Sequence, residues 1–468
     1  MRLSNARPQA PTGTTPALLV DLYQLTMLEA YRREGMAARP ATFSLFVRSQ
    51  PADWGYLVAA GLDDCLSWLE KLEFSDPDLR AIERLGLFPP DFLPWLSQLR
   101  FTGSVRAVPE GTLLFGGEPI LEVDAPIAEA QLAETFLLNQ VTLQTGLATQ
   151  AARCLHAAHG RAVTDFALRR APGVDAGMKL ARCCRIVGIN ATSNVAGADR
   201  YGLAVSGTMA HSFVQAHLDE VDAFRAFARA FREQTVLLVD TYDTPRGIER
   251  AALVAEEMRR EGIELHGIRI DSGDLGADAC LARRRLDDAG FPEMKIFVSG
   301  GLDEYRIQEL VERQHAPIDG FGVGTSLGAG GEGPTMETVY KLVSYDGHPS
   351  RKTSAGKATW PGAKQVWRDP HWAGDYLALA NGQPSPADAL PLLETVMRDG
   401  QRTAEGHRSL AEAHQHFADQ WGKLPEPFKA LSAPPRYPVV PSQPLQRLAE
   451  ELDAHQSDRT GEVPALPH

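Results

Sequence analysis

The chain has 468 residues, of which 44% are hydrophobic and 23% charged, and a formal net charge of −13. These are the proportions of a globular protein with room for one large domain and one or two smaller ones. The acidic balance speaks against a general nucleic-acid binder, which needs a basic face, but it leaves anionic small molecules open because a few arginines can dominate a cleft.

Residues 1–16 are rich in Pro and Thr and lack the apolar run of a signal peptide. No apolar run reaches membrane-spanning length, so the expected location is the cytoplasm, with no membrane partner. From Leu18 to Tyr31 the apolar residues Leu18, Leu22, Leu25 and Leu28 recur at helical spacing, with Asp21, Tyr23 and Gln24 on or near the polar side. Ala41 to Val47 alternates Phe43, Leu45 and Val47 as a strand does, and Phe101 to Val123 is strand-rich with glycine and proline turns. The first 125 or so residues therefore predict mixed α+β structure.

A long helix is expected from Glu129 to His159, with a possible break at Gly146. Seven strand candidates follow, most of them linked by helix-length segments: 162–166, 192–195, 203–205, 236–240, 267–271, 295–299 and 320–323. That rhythm predicts a parallel α/β fold closed into a barrel, with a doubly wound open sheet as the alternative, since spacing does not reveal strand order. After Tyr345 the rhythm stops. Lys352 to Arg368 reads as basic and turn-rich, Thr403 to Trp421 as a helix, and the proline-rich end from Pro434 as extended chain. The five cysteines have neither the paired spacing of a zinc site nor a disulfide framework, and Cys183-Cys184 reads as buried thiols.

Polar residues gather where the strands end. Asp165, then Asp240 and Asp243, then Asp271 and Asp274 fall at three such ends, with Arg169 and Arg170 after the first and Arg269 within the third. Carboxylates there suit Mg²⁺ and sugar hydroxyls, and guanidiniums suit phosphate or carboxylate. Each aspartate taken singly also fits a helix N-cap. Gly320 to Ser326, which includes Gly324 and Thr325, is a glycine-rich turn whose amides can surround a phosphate, and Ser299-Gly300-Gly301 offers a second half. His211 lies in a loop after the strand candidate Leu203-Ala204-Val205. Such a histidine is either a hydrogen-bonded structural residue or a group that moves a proton or carries a phosphoryl group.

Seven segments in order make the chain resemble the nicotinate phosphoribosyltransferase family. They are Asp21-Leu22-Tyr23-Gln24-Leu25-Thr26-Met27, Phe166-Ala167-Leu168-Arg169-Arg170, Thr192-Ser193-Asn194-Val195, Gly207-Thr208-Met209-Ala210-His211-Ser212, Asp240-Thr241-Tyr242-Asp243-Thr244, Arg269-Ile270-Asp271-Ser272-Gly273-Asp274 and Gly322-Val323-Gly324-Thr325-Ser326. The resemblance implies an irregular TIM-like α/β barrel over about 129–344. It also implies a second α+β domain built from both ends of the chain, 18–128 and about 345–430. Composition, not the resemblance, marks a flexible tail at 1–17 and an extended proline-rich tail at 431–468, and the end beyond Pro434 matches none of the family's motifs. The resemblance further implies ATP-coupled joining of nicotinate to 5-phosphoribosyl 1-diphosphate, with Mg²⁺ and with His211 as the phosphorylated residue. Nicotinamide or quinolinate phosphoribosyl transfer, or a non-catalytic nucleotide-sensing relative, are the alternatives.

Residue by residue, the resemblance places Tyr23, Thr208 and Arg269 around nicotinate, with Tyr23 supplied by the partner in a head-to-tail homodimer. It places Phe166 against the pyridine ring, Arg169 on phosphate, and Gly324 and Thr325 on the sugar diphosphate. Asp271 and Asp274 are the expected contacts to ribose hydroxyls and metal-bound water. Gly301 stands where a polar residue is expected.

Overall fold

The computed structural model describes residues 17–354, 356–384 and 386–460. The flexible tail expected at the N-terminus lies, apart from Ala17, outside the described residues, as do the last eight residues.

The first helix spans Leu22–Arg33 and not the stretch from Leu18, because Asp21 caps it: the Asp21 N–H donates to Gln24 Oε1 at 2.8 Å in a capping box. The same Gln24 is fully buried and donates through Nε2 to the carbonyls of Gln131 and Leu132 at 2.8 and 2.9 Å. Those carbonyls mark the true interruption of the next long helical run, which divides into Ile127–Leu132 and Glu134–Ala157. Gly146 does not break it. A Cβ there would lie 3.2 Å from Gly333 Cα, so this glycine allows close approach of two backbones inside a continuous helix.

Strands from both ends of the chain share one seven-stranded sheet. Pro40–Ser49 pairs antiparallel with Glu337–Tyr345 on one side and Pro119–Pro126 on the other, and Glu394–Arg398 adds to Ser104–Ala107. Three short helices over Leu62–Glu70, Asp76–Glu83 and Phe92–Leu96 fill the segment between its strands. The basic segment expected to be turns ends instead in a strand, Lys364–Arg368, paired with Asp375–Leu379. Its two cations are buried because each meets a buried carboxylate: Lys364 Nζ lies 3.1 Å from Glu122, and Arg368 grips Asp375.

The second large sheet is parallel and carries the site. Its strands are β1 (Ala162–Asp165), β2 (Ala191–Thr192), β3 (Ala204–Val205), β4 (Val236–Leu238), β5 (Gly267–Ile270), β6 (Lys295–Ser299) and β7 (Gly320–Val323). Strands stand at six of the seven expected places; the one expected at 192–195 is instead Ala191–Thr192, because Asn194 caps a helix that opens at Val195, accepting from the Gly197 N–H at 3.0 Å. The spatial order is β3-β2-β1-β7-β6-β5-β4. Every strand neighbours its successor except at β3 and β4, and the last strand pairs with the first, Val323 opposite Asp165. This is the order of a ring opened at one seam, so the sheet curls and its strand ends face a common mouth. Helices connect the strands and pack outside, the longest being Val174–Val187, Thr244–Arg260 and Leu275–Asp288, of 14, 17 and 14 residues.

The C-terminal end departs from expectation. Val439–Pro441 pairs parallel with Asp375–Leu379, and a helix follows over Gln443–Thr460. The prolines suggested extended chain, but those among the described residues, Pro434, Pro435, Pro438, Pro441 and Pro444, precede or open the helix, where proline is tolerated. Leu445 and Ala449 then bury one helical face. The helix expected from Thr403 begins at Leu410, where Ser409 and Glu412 form a capping box. Cys183 and Cys184 are fully buried, and burial pushes the Cys183 thiol up to about 12, so neither is a reactive thiol.

Candidate active site

Four strand ends converge on a cavity of about 670 Å³ lined by Phe166, Ser206, Gly207, Thr208, Arg269 and Gly322, which runs to the open seam between Val205 and Val236. Arg269 belongs to β5. Its Nη2 donates to the carbonyl of Met209 at 3.1 Å, which ties β5 to the loop holding His211. Its guanidinium lies 6.0 Å from the Phe166 ring centroid, and its Nε is buried without a protein partner. Burial lowers its pKa, while Asp271 and Asp240 oppose that shift and Arg169 reinforces it. Arg169 is thus close enough to be felt, and it and Arg170 are exposed.

Phe166 rests on Gly322: a Cβ at that glycine would fall 2.4 Å from Phe166 Cε2. The glycine of β7 therefore makes room for the aromatic ring that follows β1.

His211 opens a short helix, His211–Gln215, at the same mouth. Its Nδ1 is 3.2 Å from Thr241 Oγ1, and its Nε2 is 3.8 Å from Asp271 Oδ2. The side chain is 39% exposed. Asp271 is fixed from behind, since Ser299 Oγ donates to its Oδ1. Asp240 accepts from the Asp271 N–H at 3.0 Å and from Ser272 Oγ at 2.5 Å, while its Oδ1 is buried without a protein partner. Gly300 has φ 87, and a Cβ there would lie 1.9 Å from the Asp271 carbonyl oxygen, so only glycine lets the ends of β5 and β6 meet. Gly301, where a polar residue was expected, also has a positive φ of 62 and faces open space.

The aspartates separate into two kinds. Asp243 and Asp274 cap helices, accepting from the Arg246 and Ala277 N–H groups at 3.0 and 3.2 Å. Asp165 is buried and spent on the fold, taking Thr192 Oγ1 at 2.7 Å and the Ala167 N–H at 2.8 Å. Asp240 and Asp271 are neither caps nor structural ties alone. Gly324 and Thr325 follow β7 at the mouth, with Thr325 exposed.

Tyr23 is not brought to this mouth within one chain. Its surroundings are Glu134, Thr135 and Asp21, and burial, then the charge of Glu134, raise its hydroxyl to about 12. Sequence reasoning missed the part of Thr241 as the partner of His211; the signal was present in Asp240-Thr241-Tyr242-Asp243, directly after a strand.

Three family models match in succession: the nicotinate phosphoribosyltransferase N-terminal domain over residues 18–142, the nicotinate phosphoribosyltransferase family over 162–351 and its C-terminal domain over 380–449. A nicotinate phosphoribosyltransferase of Mycobacterium tuberculosis is 44% identical over 94% of this chain and 96% of its own. The chain belongs to the nicotinate phosphoribosyltransferase family. The Bacillus subtilis nicotinate phosphoribosyltransferase is 39% identical over 90% of this chain and 92% of its own. The human nicotinic acid phosphoribosyltransferase structure superposes with a TM-score of 0.79 at 29% identity, covering 93% of this chain and all (100%) of that one. A nicotinate-nucleotide pyrophosphorylase structure from Pyrococcus furiosus follows at 0.70 and 25%, covering 87% and 95%. Among the described residues, no helix is long and apolar enough to cross a membrane.

Proposed function

We propose that the chain joins nicotinate to 5-phosphoribosyl 1-diphosphate, giving nicotinate mononucleotide and diphosphate, with ATP cleavage coupled through His211. The reading rests on one observation above the others: in a chain of this family, His211, Asp271, Arg269 and Phe166 stand at one mouth. The catalytic unit we infer is an irregular TIM-like barrel, the curled sheet being its wall, joined to a second α+β domain made from both ends of the chain.

Nicotinate is flat, aromatic and anionic. The ring of Phe166 supplies a face, Thr208 a hydroxyl at the cavity wall, and the Arg269 guanidinium a planar fork for the carboxylate. Its unpartnered Nε–H is the kind of buried donor that an incoming carboxylate satisfies. The sugar phosphate falls to the Gly324–Thr325 turn and to Arg169. Breaking the anomeric C–O bond leaves positive charge on the ribose and negative charge on diphosphate, and Asp271 is placed to hold a ribose hydroxyl. Asp274 retains one carboxylate oxygen beyond its capping bond for a metal-bound water.

Mg²⁺, when bound, neutralises charge developing on the diphosphate. Among the described residues no cluster of three or more His, Cys, Asp or Glu side chains could hold an ion alone. The unpartnered Asp240 Oδ1 and the open oxygen of Asp271 instead suit an ion that arrives on substrate phosphates and keeps its waters.

With ATP, His211 Nε2 attacks the γ-phosphorus, the bond to the β-phosphate oxygen breaks and ADP leaves. The added negative charge beside Asp271 would strengthen the hold on Mg²⁺, and through that ion on the sugar diphosphate, until the phosphoryl group is lost to water. Tyr23 is assigned to a partner subunit's site in a head-to-tail homodimer, in line with the exposed apolar residues Leu19 and Leu22 beside it. The five free thiols suit a cytoplasmic enzyme.

Turnover with nicotinate, nicotinamide and quinolinate, each with the sugar diphosphate, tests the reading. Nicotinate should exceed nicotinamide about 10- to 100-fold, the discrimination that an arginine–carboxylate contact can supply, and should exceed quinolinate because the second carboxylate of the diacid would be desolvated without a counter-charge. Preference for the amide or the diacid would overturn it.

A further inference from the structure

Ser326 directly follows Thr325, and its hydroxyl accepts a hydrogen bond from Gln150 Nε2 at 2.7 Å. Gln150 is fully buried in the helix Glu134–Ala157, and the same Nε2 also donates to Glu304. The other oxygen of Glu304 takes Arg153 Nε at 3.0 Å. Arg153 is wholly enclosed, with Nη1 on the carbonyl of Asp53 at 2.6 Å and Nη2 on that of Leu431 at 2.9 Å. A chain of polar contacts thus runs from the turn after β7, through a buried ion pair, to segments near both ends of the sequence. Thr325 opens a short helix, Thr325–Ala329, and the segment that follows it is laid against the long helix by glycines. A Cβ on Gly331 would lie 2.1 Å from Gln150 Oε1, and one on Gly333 would lie 2.8 Å from Gly146 Cα.

Burying an ion pair contributes little to net stability, since desolvation offsets the attraction, but it fixes geometry wherever every donor is satisfied. We infer that Gln150, backed by Glu304 and Arg153, is a positioning residue that holds the Gly324–Thr325 turn in its phosphate-binding shape before the sugar diphosphate arrives. The inference rests on the phosphoribosyl reading of that turn. Ordering the turn in advance removes a cost from sugar binding and leaves nicotinate binding untouched.

The test is steady-state kinetics of Gln150→Met, Ser326→Ala and the double variant, varying each substrate separately, with thermal melts alongside. In both single variants KM for 5-phosphoribosyl 1-diphosphate should rise about fivefold, the change that one lost buried hydrogen bond produces, with KM for nicotinate within about twofold. The double variant should be no worse than the worse single one, because both remove the same link. Ser326→Ala deletes a single oxygen and carries the test if Gln150→Met does not fold. An unchanged sugar-diphosphate KM, parallel rises for both substrates or an additive double effect would overturn the proposal. Wild-type protein that binds the sugar diphosphate without turning it over defeats the functional reading alone, and the variants are then compared by binding constant. Wild-type protein that does not bind it overturns both.

Discussion

Arg269 is the most constrained charge at the mouth: half-buried, tied to Met209 O, and flanked by Asp271 and Phe166. In the proposed role, removing it would leave the pyridine carboxylate with no counter-charge. Arg269→Ala should raise KM for nicotinate about 10- to 100-fold, as loss of a charged hydrogen bond does, and KM for the sugar diphosphate far less. Equal rises in the two constants would mean general collapse of the site. His211 and Arg269 were singled out in the sequence because their side-chain chemistry, their place in or just after strands and the family resemblance pointed the same way. Asp243 and Asp274 were not separable from Asp240 and Asp271, because a cap and a ligand use the same residue at the same kind of junction. Only the three-dimensional contacts divide them: two accept helix amides, and two face one another's loop.

Between elements, the decisive contacts are made by residues without side chains. Gly322 lets β7 pass under Phe166, and an alanine there would press a methyl into the ring. Gly322→Ala should leave the parallel sheet intact by circular dichroism while weakening nicotinate binding about tenfold, within the 1–3 kcal/mol range typical of overpacking. Unaltered nicotinate binding would remove Phe166 from the site. The seven strands were legible from apolar runs alternating with helical periods. Their order was not, since pairing is a long-range property, and the open seam between β3 and β4 left no mark in the sequence. The helix break went to Ala133 and not Gly146 because Gln24, more than a hundred residues away, caps the carbonyls there. The last helix was hidden by the prolines around it, although Leu445 and Ala449 carry its buried face.

Across the whole molecule, the helix Leu410–Lys423 staples the N-terminal strands to the C-terminal segment through titratable groups. His416 lies among Thr112, Gln420 and Arg368, and burial, with the charges of Arg408 and Arg368, lowers its pKa to about 4. Its Nε2 accepts from Gln420 Nε2 at 2.7 Å, and Gln420 cannot turn its amide because its Oε1 holds the Leu113 N–H at 2.8 Å. The unfolded chain therefore takes up this proton first. The stabilisation is complete above pH ~6.5, is lost as pH falls towards the folded value of about 4, and amounts to about 3 kcal/mol. Urea unfolding from pH 7 to 4 should show a shallower loss in His416→Gln than in the wild type, and identical slopes would exclude His416 as a source.

The joint account of family, mouth and imidazole meets its most direct test in one stoichiometric assay. ADP, diphosphate and nicotinate mononucleotide are counted together for wild type and His211→Ala. Wild type should form the three in equal amounts, and the variant should form no ADP while retaining slow, ATP-independent mononucleotide synthesis. ADP release undiminished in His211→Ala would contradict the account.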